Sequence, residues 1–241
     1  MKARLATAFS CVLFVPFGVL CLVWTFRSLA RADFLTALLA LGFAVFTLGF
    51  VAMLVIVAAR KVTPRIACDD AGITFRPDSR VDRLLTAATI GAFLAMGLYA
   101  ILAPLDMVNI PVPRGDRRYF VVACAAGALG GIPSMWQIVK QRGMSQLRMT
   151  PAGLDIGGAV STSSRAWDEV TDIADRPRNG RQPTGTTYVT TADGHNRTLV
   201  SDWYTPGGHA LRELVRFYWR HPEHRVELQD GRAMTRLDAE S

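Results

Sequence analysis

Four stretches of this chain contain no Asp, Glu, Lys or Arg: residues 5–26, 34–59, 84–105 and 119–139. At about 1.5 Å per residue, a helix of about 20 residues crosses a hydrocarbon core of about 30 Å. Four such segments within 140 residues leave too little polar chain to cover them in water. They predict four transmembrane helices in two hairpins. Met1-Lys-Ala-Arg ahead of the first segment has the shape of a signal peptide. The 22 apolar residues that follow exceed the core of about 7–15 that such a signal carries, so the segment reads as a retained span.

The net charge of +7 is unevenly spread. Residues 1–139 hold 13 Lys and Arg against 7 Asp and Glu, whereas residues 140–241 hold 14 against 13. The excess basic charge flanks the spans, where anionic headgroups favour it. A nucleic-acid partner would need a basic face on the polar part, so none is expected. Lys2, Arg4, Arg60, Lys61, Arg65, Arg76, Arg80, Arg83, Lys140, Arg142 and Arg148 fall on one side, making 11. The opposite loops hold 5: Arg27, Arg31, Arg114, Arg117 and Arg118. The positive-inside rule then puts both termini in the cytoplasm, in a multi-pass protein of the cytoplasmic membrane. The lipid bilayer is its first partner.

No Asp, Glu, Lys, Arg or His lies inside a span. Intramembrane ionisable groups mark ion and proton paths, so a transport or permeation subunit is the second reading rather than the first. Small residues recur instead. Ala123, Gly127 and Gly131 are spaced by four, and Gly42 and Gly49 stand 81 positions before Ala123 and Gly130. Within lipid, small residues let helix backbones approach. These sites are expected to pack the second helices of the two hairpins together, or to form a homodimer seam. Cys11, Cys21, Cys68 and Cys124 have neither CxxC nor metal-ligand spacing and read as packing residues.

The same offset of 81 reappears in the polar segments. Arg65-Ile-Ala-Cys-Asp-Asp-Ala-Gly-Ile-Thr-Phe75 aligns with Gln146-Leu-Arg-Met-Thr-Pro-Ala-Gly-Leu-Asp-Ile156. Both read as β-hairpins around Ala-Gly. The chain therefore divides into a helix pair (1–60), a short hairpin (61–83), a second helix pair (84–140), an α+β domain (141–228) and a polar tail (229–241) expected to be disordered. Two strands alone are marginal in water, so the first hairpin should pack on the later domain.

That domain has strand patterns at 147–150, 154–157, 170–173, 187–191 and 198–201. An amphipathic helix follows Pro206, with Leu211, Leu214, Val215 and Tyr218 on one face, and Pro222 stops it. The Thr150-Pro-Ala-Gly-Leu-Asp-Ile156 hairpin, Trp167-Asp-Glu-Val-Thr-Asp-Ile173 and the helix ending Phe217-Tyr-Trp-Arg-His-Pro-Glu-His224 resemble the pleckstrin-homology-like (PH-like) domains of small actinobacterial membrane proteins. The resemblance covers residues 140–228. It implies a cytosolic PH-like domain of antiparallel strands closed by a C-terminal helix, and carries no catalytic residues. The isolated first hairpin departs from that pattern.

Chemistry is sparse. His221-Pro-Glu-His224 lacks a third ligand, and Pro222 interrupts the helix that would align the pair, so no metal is expected. Ser201-Asp202 with His195 or His209 has the residue types of a triad but no GxSxG turn, and Asp202 reads as turn or cap chemistry. Arg176, Arg178 and Arg181 form a basic loop suited to anionic headgroups or to a partner. The expected function is a non-catalytic binding or assembly module on a membrane anchor, with a protein partner or a second copy and no cofactor.

Overall fold

The computed structural model describes residues 2–108, 116–176, 185–194 and 196–239, with side chains from Thr7 onward. Helices α1 (Lys2–Ala30) and α2 (Phe34–Ala58) make one hairpin, and α3 (Ser79–Leu102) and α4 (Arg117–Gln141) make another. All four are long and apolar enough to cross a membrane. Only helices and closed barrels satisfy every backbone group in lipid, so an uncharged run of this length folds as a helix there. Large apolar side chains point outward, among them Phe9, Val12, Phe120, Val122 and Ile132. In water they would make an aggregation surface. This is a multi-pass membrane protein.

The chain forms two compact units: Met1–Val55 with Arg83–Trp136, and Ile56–Asp82 with Gln137–Ser241. In the first, α1 approaches α2 at Gly18, beside Leu48 and Thr47. Phe14 meets the rings of Phe46 and Phe50 edge-on. The hydroxyls of Thr25 and Thr47 donate to Cys21 O and Phe43 O, so neither is left unsatisfied among apolar neighbours.

The small residues do not meet as the sequence suggested. Gly42 and Gly49 face α3, where a methyl group at Gly42 would come within 2.9 Å of Ala95 and one at Gly49 within 3.3 Å of Ala88. Gly91 of α3 faces Gly42 in return. Ala88, Gly91 and Ala95 recur at three and four residues, so α3 supplies the complementary small face. Gly127 and Gly131 also look onto α3, at Met96 and Phe93. That face of α4 packs on α3 within the chain. Ala123 is exposed, and Gly130 has nothing within 4 Å of an added Cβ.

The second unit has a five-stranded antiparallel sheet in the order β1 (Arg65–Asp69), β2 (Gly72–Arg76), β3 (Gln146–Met149), β4 (Gly153–Gly157) and β5 (Thr162–Ala166). A second sheet runs β6 (Val170–Ala174), β7 (Thr187–Thr191) and β8 (Asn196–Leu199). The hairpin encoded between the helix pairs is therefore part of the C-terminal sheet: Ile73 pairs with Met149, Thr74 with Arg148 and Phe75 with Leu147. Ile73 and Phe75 are fully buried with Leu147, Met149 and Leu154 in the core. At about 1.5–3 kcal/mol for each large side chain taken out of water, these two residues contribute strongly to holding the hairpin on the domain. What reads as two segments in sequence is one folded unit.

Helix α5 (His209–Arg220) closes the core with Leu211, Leu214, Val215 and Tyr218. Trp167 is buried, and its indole N–H donates to Thr150 O at 2.8 Å. The tail expected to be disordered instead folds into α6 (Glu227–Asp230) and α7 (Arg232–Ala239). Leu228, Ala233 and Leu237 join the core, and Gly231 turns the chain between the helices at φ 80°. Three apolar residues so widely spaced give no visible stripe in sequence, which is why the helices were missed. Strand β5 was missed for a related reason: Thr-Ser-Ser-Arg-Ala has no apolar alternation, and only its backbone ladder to β4 makes it a strand.

Two buried carboxylates organise the first turn of α3, which belongs to the second unit. Asp78 accepts from the backbone N–H of Thr63 at 3.0 Å and of Arg80 at 2.7 Å, so it caps α3. Burial pushes its carboxyl up, but these bonds outweigh that and hold it below the usual range. Asp82 accepts from Arg65 at 2.6 Å and from Met144 N at 2.8 Å.

Candidate functional site

The outer face of the three-stranded sheet carries a polar cleft of about 380 Å3. Its position follows from strand alternation. Val170, Ile173, Val189 and Leu199 turn into the core, which leaves Asp172, Ala174, Tyr188, Thr190 and Asn196 outside. Asp172 pairs with Thr190, Ala174 with Tyr188, and Thr190 with Asn196, so they share one face. A bulge between Val170 and Asp172 adds Thr171 to the lining. The Thr171 hydroxyl donates to Thr190 O at 3.2 Å, and that of Thr190 to Asn196 Oδ1 at 2.9 Å.

Arg176 lines the same cleft, and its Nε lies 3.4 Å from Asp175 Oδ1. Arg178 and Arg181, the other two members of the predicted basic loop, lie outside the described residues. The cleft thus joins Arg176 to Asp172 and a set of hydroxyl and amide groups. It suits hydrogen bonding to a small polar ligand or an extended chain. Its residues other than Arg176 were not singled out in sequence, although the alternation that buries Val189 also points Tyr188 and Thr190 outward.

The triad residue types do not assemble among the described residues. Ser201 is fully buried, with its hydroxyl 2.5 Å from that of Thr187. His209 begins α5, and His195 lies outside the described residues. Asp202 sits in a 3-10 turn, Ser201–Trp203, ahead of α5, so of the turn and cap roles it takes the turn; the residue preceding α5 is Gly208, at φ 70°, with no side-chain cap bond. Asp202 Oδ1 is buried without a hydrogen-bond partner among the described residues, and burial pushes its carboxyl from the ordinary 3.8 up to about 6.

The histidines at the end of α5 do come together. Pro222–His224 forms a 3-10 turn, and residues three apart in such a turn stand one above the other. The rings of His221 and His224 lie 6.1 Å apart, both against Phe217 at 4.6 and 5.4 Å. Glu227, 7% exposed, accepts from Tyr218, His224 and Arg236. Burial pushes its carboxyl up, but the bonds from Arg236 and His224 outweigh that and hold it low. No group of three or more His, Cys, Asp or Glu has metal-site geometry among the described residues.

Comparison with protein-family models, with curated proteins and with solved structures finds no match.

Proposed function

We propose that this protein is a membrane-anchored binding or assembly module without catalytic activity, whose second unit is a cytosolic PH-like domain. The observation that carries this reading is the in-register pairing of β2 with β3. Two polar segments separated by two membrane-crossing helices build one sheet, so α3 and α4 must return the chain to the side it left. The result is a domain tied to the membrane at the end of α2, the start of α3 and the end of α4. Such a tether suits presentation of a surface at the bilayer better than turnover of a diffusing substrate.

Two antiparallel sheets closed by α5 support the PH-like reading, with β1 and β2 as an added pair. The cytosolic side follows from the positive-inside count. The exposed edges β1 and β5 and the polar cleft with Arg176, joined in sequence to Arg178 and Arg181, are the surfaces for a headgroup, a protein partner or a second copy.

Crosslinking in intact membranes, read by mass spectrometry, is expected to join β5 and the β6–β8 face to a small, reproducible set of neighbours. Crosslinks only within the chain would contradict a binding module. Cys68 is exposed on β1 and reports orientation directly. A membrane-impermeant maleimide applied to whole cells should leave it unlabelled, and labelling would reverse the cytosolic assignment.

A further inference from the structure

We propose that the α1–α2 hairpin holds one anionic phospholipid, with an acyl chain in an apolar groove between the two helices and the phosphate at Arg27 and Arg31. The groove has a volume of about 210 Å3. Phe17, Leu20 and Trp24 line it from α1, and Leu39, Ala40 and Phe43 from α2. Spacings of three and four residues put each set on one helix face. The floor is closed, with Leu39 and Ala40 only 2% and 7% exposed, whereas Phe17 and Leu20 at the rim are 47% and 56% exposed.

The lining is almost wholly apolar, so water does not fill the groove. An apolar cavity of about 150 Å3 stays dry and takes a hydrocarbon instead. Both walls belong to membrane-crossing helices, where the hydrocarbon at hand is an acyl chain. Left unfilled, the groove would deprive Phe17, Leu39 and Phe43 of dispersion contacts on one side.

Charge selects the headgroup. Arg27 and Arg31 follow Trp24 by three and seven residues, so they continue the α1 stripe at the end of the hairpin where the chain turns. Both are exposed, and neither forms an ion pair among the described residues. The opposing charge is Asp33, whose Oδ1 accepts from Thr36 N at 3.2 Å as the cap of α2. Two guanidiniums against one carboxylate leave the mouth of the groove positive, and their planar forks match phosphate oxygens. Trp24 stands between groove and arginines, at the level where amphipathic rings meet the headgroups. A zwitterionic lipid would bring a cation of its own against Arg27 and Arg31, and an anionic one does not.

The test is native mass spectrometry of the full chain in detergent micelles, titrated with phosphatidylglycerol and with phosphatidylcholine of the same acyl chains. One phosphatidylglycerol per chain is expected, held at least about tenfold more tightly than phosphatidylcholine. Arg27→Gln/Arg31→Gln should abolish that preference. Ala40→Phe, which fills the floor, and Phe17→Ala, which removes a wall at an exposed position, should weaken both lipids alike. Arg118→Gln removes an exposed cation from α4 and should change neither. Thermal melts check that each variant is folded. Equal affinity of the wild-type chain for the two lipids, or a preference that survives loss of both arginines, would overturn the site. Unchanged binding in both groove variants, or a neutral lipid such as a quinone retained in place of the phospholipid, would do the same.

Discussion

Gly72 and Gly153 stand 81 positions apart and do the same thing. A methyl group on Gly72 would collide with the Met149 carbonyl, and one on Gly153 with the Arg165 carbonyl, each on the neighbouring strand. The Ala-Gly echo in the sequence is thus a requirement for close strand approach in both hairpins. Gly72→Ala and Gly153→Ala are each expected to cost about 1–3 kcal/mol. Gly158→Ala, whose nearest neighbour is Ser161 O at 3.6 Å, should fall within about 0.5 kcal/mol of wild type. Asp202 gives a pH-dependent counterpart. Its folded value of about 6 lies above the ordinary 3.8, so its contribution favours the fold below 3.8 and is lost as the pH rises through about 6. Asp202→Asn should therefore stabilise the chain above pH 6 by about 1–2 kcal/mol, allowing for partial exposure, and change little below about pH 4. Thermal melts followed by tryptophan fluorescence at the two pH values measure the difference. Nothing in the sequence marks Asp202 as buried, because its environment comes from the distant Gly185, whose carbonyl accepts from Asp202 N.

At the scale of elements, α3 occupies the middle position expected of neither α2 nor α4. It meets Gly42 and Gly49 on one side and Gly127 and Gly131 on the other. The four spans were legible because absence of charge over 20 residues is a one-dimensional signal. Their neighbours were not, since small residues permit close approach without naming the partner. Gly42→Leu should destabilise the helical unit by about 2 kcal/mol or more, whereas Gly130→Leu should be silent because an added Cβ there meets nothing within 4 Å. Unfolding of the two variants in mixed micelles separates these outcomes. Strands with strict alternation, such as Thr187–Thr191, were also legible. Polar elements held by distant contacts, β5, α6 and α7, were not. Gln229 of α6 reaching the Asp70 carbonyl is a relation that no local window contains.

For the whole molecule, the decisive relation joins residues separated by two membrane crossings. The sequence supported packing of the first hairpin on the later domain, but not its place as β1 and β2 of a five-stranded sheet. The C-terminal segment alone would lose Ile73 and Phe75 from its core and expose the edge of β3. The composite sheet is therefore the claim on which the binding-module reading rests. Thr74 and Arg148 face each other across β2 and β3. Directly paired Cα atoms in an antiparallel ladder lie about 4.5–5.5 Å apart, within disulfide range. With Cys11, Cys21, Cys68 and Cys124 replaced, Thr74→Cys/Arg148→Cys should oxidise to an intramolecular disulfide in native membranes. Thr74→Cys/Asp155→Cys, which places the second thiol one strand further away on β4, should not. Failure of the first pair to crosslink, or equal crosslinking of both, would contradict the composite sheet.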